Sequence, residues 1–134
     1  MLRHTLATLA YRLEKALRDA PPEFATFRAS ESSRTPVEIL AHMGDLMDWA
    51  LSHANGTERW NNSTPLAWPA EVERFKAALQ ALDARLVAGE LPCDENRLFQ
   101  GPIADALTHT GQIAFLRRLY GSPVPPKNYF KAEI

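Results

Sequence analysis

Four stretches of this chain repeat apolar residues at intervals of three and four, and none alternates at the interval of two that marks a half-buried strand. That pattern predicts helices throughout and no sheet. Leu2, Leu6, Leu9, Leu13 and Leu17 line one side of a first helix of about 18 residues, which Pro21 and Pro22 end. Thr35, Pro36 and Glu38 supply an N-cap, a first-turn proline and a capping-box glutamate, so a second helix starts there and stops at Asn55-Gly56. Its apolar arc holds Leu40, Met43, Met47 and Ala50, widened by Ile39, Leu46 and Trp49, and both methionines belong to the core. A third helix over 69–88 carries Val72, Phe75, Leu79, Leu82 and Leu86 on one face and is closed by Gly89. The fourth, over 101–120, has Pro102 in its first turn, Arg117 and Arg118 in its last, and Gly121 as its stop.

At 134 residues the chain is read as a single domain, 1–134, with one core. The expected fold is all-α, a four-helix bundle with an extended tail over 122–134, which Pro123, Pro125 and Pro126 keep from becoming a fifth helix. Connections of about 12 to 15 residues exceed what an up-down bundle needs, so at least one is expected to cross over. A net charge of -1 and the lack of a basic stripe exclude nucleic acid as the main partner. Arg12, Glu14, Lys15, Arg18 and Asp19 interrupt the first twenty residues, which excludes a signal-peptide core and a membrane span. The expected location is cytoplasmic. Cys93 is the single cysteine, without a neighbouring His or Cys, and is read as an incidental loop thiol.

The chemistry concentrates in two helices. Asp105, His109, Gln112 and Leu116 follow at spacings of four, three and four, a row of polar groups along one side of the fourth helix beside Ile103, Ala106 and Ile113. On the second helix His42 lies where the apolar arc meets a polar arc of Glu38, Asp45, Asp48 and Ser52. Imidazole and carboxylate ligate divalent transition metals, and bundles build such sites from inward side chains on facing helices. His42, Asp105 and His109 are therefore the candidate ligands. Three protein ligands leave coordination positions open, as a catalytic site requires. The plainer alternative keeps His42 as a hydrogen-bonded structural residue and uses Asp105 only to hold His109 across one turn.

The segment Thr-Pro-Val-Glu-Ile-Leu-Ala-His-Met, which contains His42, and Asp-Ala-Leu-Thr-His-Thr-Gly-Gln-Ile, which begins at Asp105, resemble the two signature helices of the DinB-like family of metal-binding four-helix bundles. The closing Asn-Tyr-Phe-Lys-Ala-Glu-Ile, from Asn128 to Ile134, is similar to the end of uncharacterised members. The resemblance implies a divalent ion, commonly zinc or nickel, held by His42, Asp105 and His109. It departs from the family at Asp105, where histidine is commoner, and a two-histidine, one-carboxylate set also suits iron(II). It further implies thiol-dependent S-transfer or hydrolysis, with a low-molecular-weight thiol and a small electrophilic substrate as partners. The alternative is a non-catalytic bundle with a structural or vestigial metal, acting through association.

Gln112 is read either as a bundle-internal hydrogen-bonding group or as support for His109. Asp45 could orient the His42 ring or be a solvated charge, and His53 is read as a surface or core residue. Trp60 and Trp68, in an otherwise polar connection, are expected to fold back on the bundle or cover an opening, and Trp49, Trp60 or residues of the tail to shape any pocket. Phe115 and Leu119 leave the fourth helix apolar outside its core side, which predicts a homodimer.

Overall fold

The computed structural model describes all residues, 1–134. Four long helices form a bundle: α1 (Leu2–Leu17), α2 (Pro36–Ala54), α3 (Trp68–Val87) and α5 (Ala104–Tyr120), with a single turn, α4 (Glu95–Leu98), leading into the last. No strand is present, and no helix is long and apolar enough to cross a membrane.

Local signals set several of these helix ends. The α2 capping box forms in full: the Thr35 hydroxyl accepts the Glu38 N–H, and the Glu38 carboxylate accepts the Thr35 N–H at 2.7 Å. Gly121, at φ 91°, closes α5 in the left-handed conformation that a side chain would strain. The N-terminal end of the last helical stretch differs from the expected first-turn proline. Asp94 caps α4 by accepting the Asn96 N–H at 2.8 Å, and the chain then passes through a π turn at Phe99–Ile103 that contains Pro102. Proline has no N–H to donate, and the wider turn accommodates the break between α4 and α5 without ending the helical path.

The leucine stripe of α1 is buried as far as Leu13, and Leu17 is half-buried where the helix ends. Leu40, Met43, Met47 and Ala50 of α2, Phe75, Leu79 and Leu82 of α3, and Ala106, Ile113 and Leu116 of α5 complete one core. Val72 and Leu86, at the ends of the α3 stripe, are half-buried.

Around the bundle α1 packs against α3 and α5, and α2 packs against the same two, so α1 and α2 face each other across the diagonal. The polar contacts fix directions. Arg74 bonds Asp45 and Arg85 bonds Asn55, so α2 and α3 run parallel. Arg3 pairs with Asp83, which sets α1 antiparallel to α3, and Arg117 bonds the Ala16 and Arg18 carbonyls, which brings the C-terminal ends of α1 and α5 together. The 55–67 connection must therefore return along the length of the bundle, as the sequence-predicted crossover requires. The tail runs back over α1, where Tyr129 meets Tyr11 edge-on and carries the Arg12 guanidinium 4.0 Å above its ring.

Candidate metal centre

The antiparallel approach of α2 and α5 puts His42 opposite Asp105 and His109. Asp105 lies between the two rings: its Oδ2 is 3.6 Å from His42 Nε2 and its Oδ1 is 3.4 Å from His109 Nε2. One ligand atom from each residue can be chosen so that all three lie within 4.8 Å of one another. Both carboxylate contacts are longer than hydrogen bonds. Ligand atoms held about 2.0–2.2 Å from a tetrahedral ion lie about 3.3–3.6 Å apart, so the two separations, one to each carboxylate oxygen, are compatible with an ion between the groups.

The donor set is prepared for that role. The His109 ring is fixed at its other nitrogen by Gln112, whose Oε1 lies 2.8 Å from Nδ1. The amide oxygen can only accept, so Nδ1 carries the proton and Nε2 presents its lone pair to the site. Gln112 thus supports the candidate ligand, one of its two expected roles. Burial, then the neighbouring His109 and Arg34, hold the His42 pKa below its ordinary 6.5, and Asp105 opposes this only in part. A neutral imidazole is the form that ligates. The Thr108 hydroxyl donates to the Asp105 carbonyl at 2.7 Å and lies 3.4 Å from Oδ1, leaving Oδ2 free on the His42 side. Exposure increases from the His109 side chain (11%) through His42 (22%) to Asp105 (47%), so the site is walled on one side and open on the other.

Trp60 folds back as expected: its ring meets His42 edge-on at 5.8 Å, and Trp49 meets Trp60 at the same distance. Trp68 opens α3 and likewise packs onto the bundle, edge-on against the buried Phe24. His53 lies with Trp49, 5.0 Å between centroids, and 3.8 Å from Glu58, apart from the triad. Burial raises the Cys93 thiol pKa, which keeps it protonated and suits a bystander.

Asp45 fits neither expected role. It is 2% exposed and accepts the Ser63 N–H and hydroxyl at 2.9 and 2.6 Å and Arg74 at 2.6 Å. Arg74 also donates to the Ala41 carbonyl, to Asp48 and to the fully buried Glu71, whose other oxygen accepts the Leu66 N–H at 2.8 Å. The guanidinium lies so close over α2 that a Cβ on Gly44 would stand 2.5 Å from Nη1. This network ties the return connection to α2 and so fixes the segment that carries Trp60. The sequence holds one signal for it, a glycine one position before an aspartate whose burial the polar arc concealed. Beside His42 the same connection walls a polar cleft of about 370 Å³ that also takes in Arg34, Ser33, Asn62 and Ser63.

Comparison with family models, with curated proteins and with solved structures finds no match for the chain. The DinB-like resemblance accordingly rests on the motifs of two helices and the closing segment.

Proposed function

We propose that this chain is a DinB-like protein that binds one divalent ion through His42, Asp105 and His109 and uses it in thiol-dependent transfer or hydrolysis. The observation that carries the reading is the placement of two imidazole nitrogens 3.6 and 3.4 Å from the two oxygens of one carboxylate, a spacing compatible with an ion between the groups. When bound, such an ion acts as a Lewis acid that lowers the pKa of a thiol or water beside it. The open side at Asp105 favours a working site over a purely structural one, because structural sites are closed by a fourth protein ligand. Trp60 shields His42 on one flank, and the polar cleft with Arg34 offers space for a substrate next to it. Zinc or nickel is favoured, and the mixed donor set also accepts iron(II).

Metal analysis of untagged protein tests the reading, with an expected content of about one divalent ion per chain that is largely lost in His42→Ala and His109→Ala. Zinc titration of demetallated Asp105 variants decides the carboxylate's role. Asp105→His should retain affinity, Asp105→Ala should lose most of it, and Asp105→Asn should fall between, because an amide oxygen is a poorer ligand. Equal affinity in all of them, with helical content intact, would remove Asp105 from the site. A wild type that stays metal-free after loading with zinc, nickel or iron(II) would overturn the whole reading.

A further inference from the structure

On the side of α5 turned away from Asp105 and His109, the tail bridges to α1 and encloses a cavity of about 390 Å³. Its apolar wall comes from Leu107, Ala114 and Val124, and its charged residues are Arg12, Arg118 and Lys127, with no acidic residue among the lining. None of these three cations takes part in an ion pair, and no carboxylate lines the hollow to offset them. In a chain with a net charge of -1 and 16 acidic residues, this hollow is lined by three cations and no carboxylate. An anion entering the hollow meets positive charge along its lining and no competing carboxylate.

Gly111 supplies the second observation. It lies inside α5 and lines the cavity, and a Cβ there would meet nothing within 4 Å. Its backbone is helical, so neither a close approach nor a left-handed turn requires glycine. A glycine inside a helix weakens it relative to alanine, and here the missing side chain keeps the hollow open. The tail that forms the outer wall is held in place by Tyr129 under Arg12 and by the Lys15 ammonium on the Pro125 carbonyl at 3.4 Å.

We propose that this cavity binds a small amphipathic anion, an apolar body bearing a phosphate or carboxylate head. The apolar wall takes the body, and Arg12, Arg118 and Lys127 take the head, with arginine offering the planar fork that matches either oxyanion. The volume lies in the range of small-ligand sites.

Calorimetric titration of the intact, EDTA-treated chain with phenyl phosphate tests this. A single site saturating by about 1 mM is expected, with benzyl alcohol and inorganic phosphate each about tenfold weaker because each supplies only one half of the ligand. Lys127→Gln and Arg118→Gln, which have no protein partner to lose, should each weaken binding about 3- to 10-fold. Gly111→Leu should abolish it while leaving the melting temperature unchanged or higher, a pair of effects that a damaged fold cannot produce. His109→Ala should bind phenyl phosphate as the wild type does, which separates this cavity from the metal centre. Phenylacetate identifies the head: binding within about threefold of phenyl phosphate means any oxyanion suffices, and binding more than tenfold weaker means a phosphate site. Wild-type binding in both Gly111→Leu and Lys127→Gln, or no saturable heat up to about 10 mM, would overturn the proposal.

Discussion

Replacing Arg74 with methionine keeps the length of the side chain and removes its charge, and it should destabilise the protein by about 3–4 kcal/mol. The figure follows from what is left behind. Asp45 and Glu71, with side chains 2% and 1% exposed, each lose a charge-assisted hydrogen bond worth about 1.5–3 kcal/mol. The contact to Asp48, whose side chain is 38% exposed, adds little. Asp45 keeps its two bonds from Ser63, and Glu71 keeps the Leu66 N–H, which holds the total to the lower half of the range. For a domain of this size the melting temperature should fall by roughly 10–15 °C, read by circular dichroism at neutral pH. The acid limb gives an independent check. Burial pushes the Asp45 carboxyl up, but the bonds from Ser63 and Arg74 outweigh it and hold its pKa below the ordinary 3.8. A carboxyl depressed by folding contributes stability above its unfolded pKa and loses it as pH falls through its folded value. The wild type should therefore keep this contribution down to about pH 4, and Arg74→Met should begin to unfold at a higher pH. A melting shift under about 3 °C with an unchanged acid limb would refute the role assigned to the network.

Gln112→Leu should weaken zinc binding about 10- to 100-fold by freeing the His109 tautomer and ring, with little change in thermal stability because Gln112 is exposed. Affinity within about twofold of the wild type would show that Gln112 is dispensable. The protein should be a homodimer through Phe115 and Leu119, which are 60% and 52% exposed on α5, and Phe115→Glu should give monomers. Light scattering at micromolar concentration decides it, and a monomeric wild type would contradict it.

The parts of the structure legible in the sequence are those that local chemistry decides. The capping box at Thr35 and Glu38, the leucine stripe of α1 and the left-handed stop at Gly121 all depend on residues within a few positions of one another. The candidate ligands were legible for a similar reason, since the spacing of Asp105 and His109 fixes their common face and His42 sits on a border that reaches both core and water. Asp45 was not legible, because its partners Ser63 and Arg74 come from 18 and 29 residues further on, and helical periodicity marks it as a solvated charge. The entry to α5 was misread because first-turn prolines are common, whereas a proline carried through a π turn depends on a cap eight positions upstream at Asp94. The basic cavity is a property of three segments, α1, α5 and the tail, and no single stretch announces it.

The diagonal placement of α1 and α2 has a consequence for how the protein is made. The leucine face of α1 has its neighbours in α3 and α5, so the helix that follows it out of the ribosome cannot cover it. Contact between α1 and α5 joins residues about a hundred positions apart, as in the bond from Arg117 to Ala16. At synthesis rates of about 5–20 residues per second, Leu6, Leu9 and Leu13 wait roughly 5–20 s for that partner. During that interval α1 and α2 have only α3 to dock on, and their α5-facing sides stay exposed to wrong pairing with one another and with neighbouring chains. His42 waits as well, and a metal ion can be gripped only after the last helix has docked.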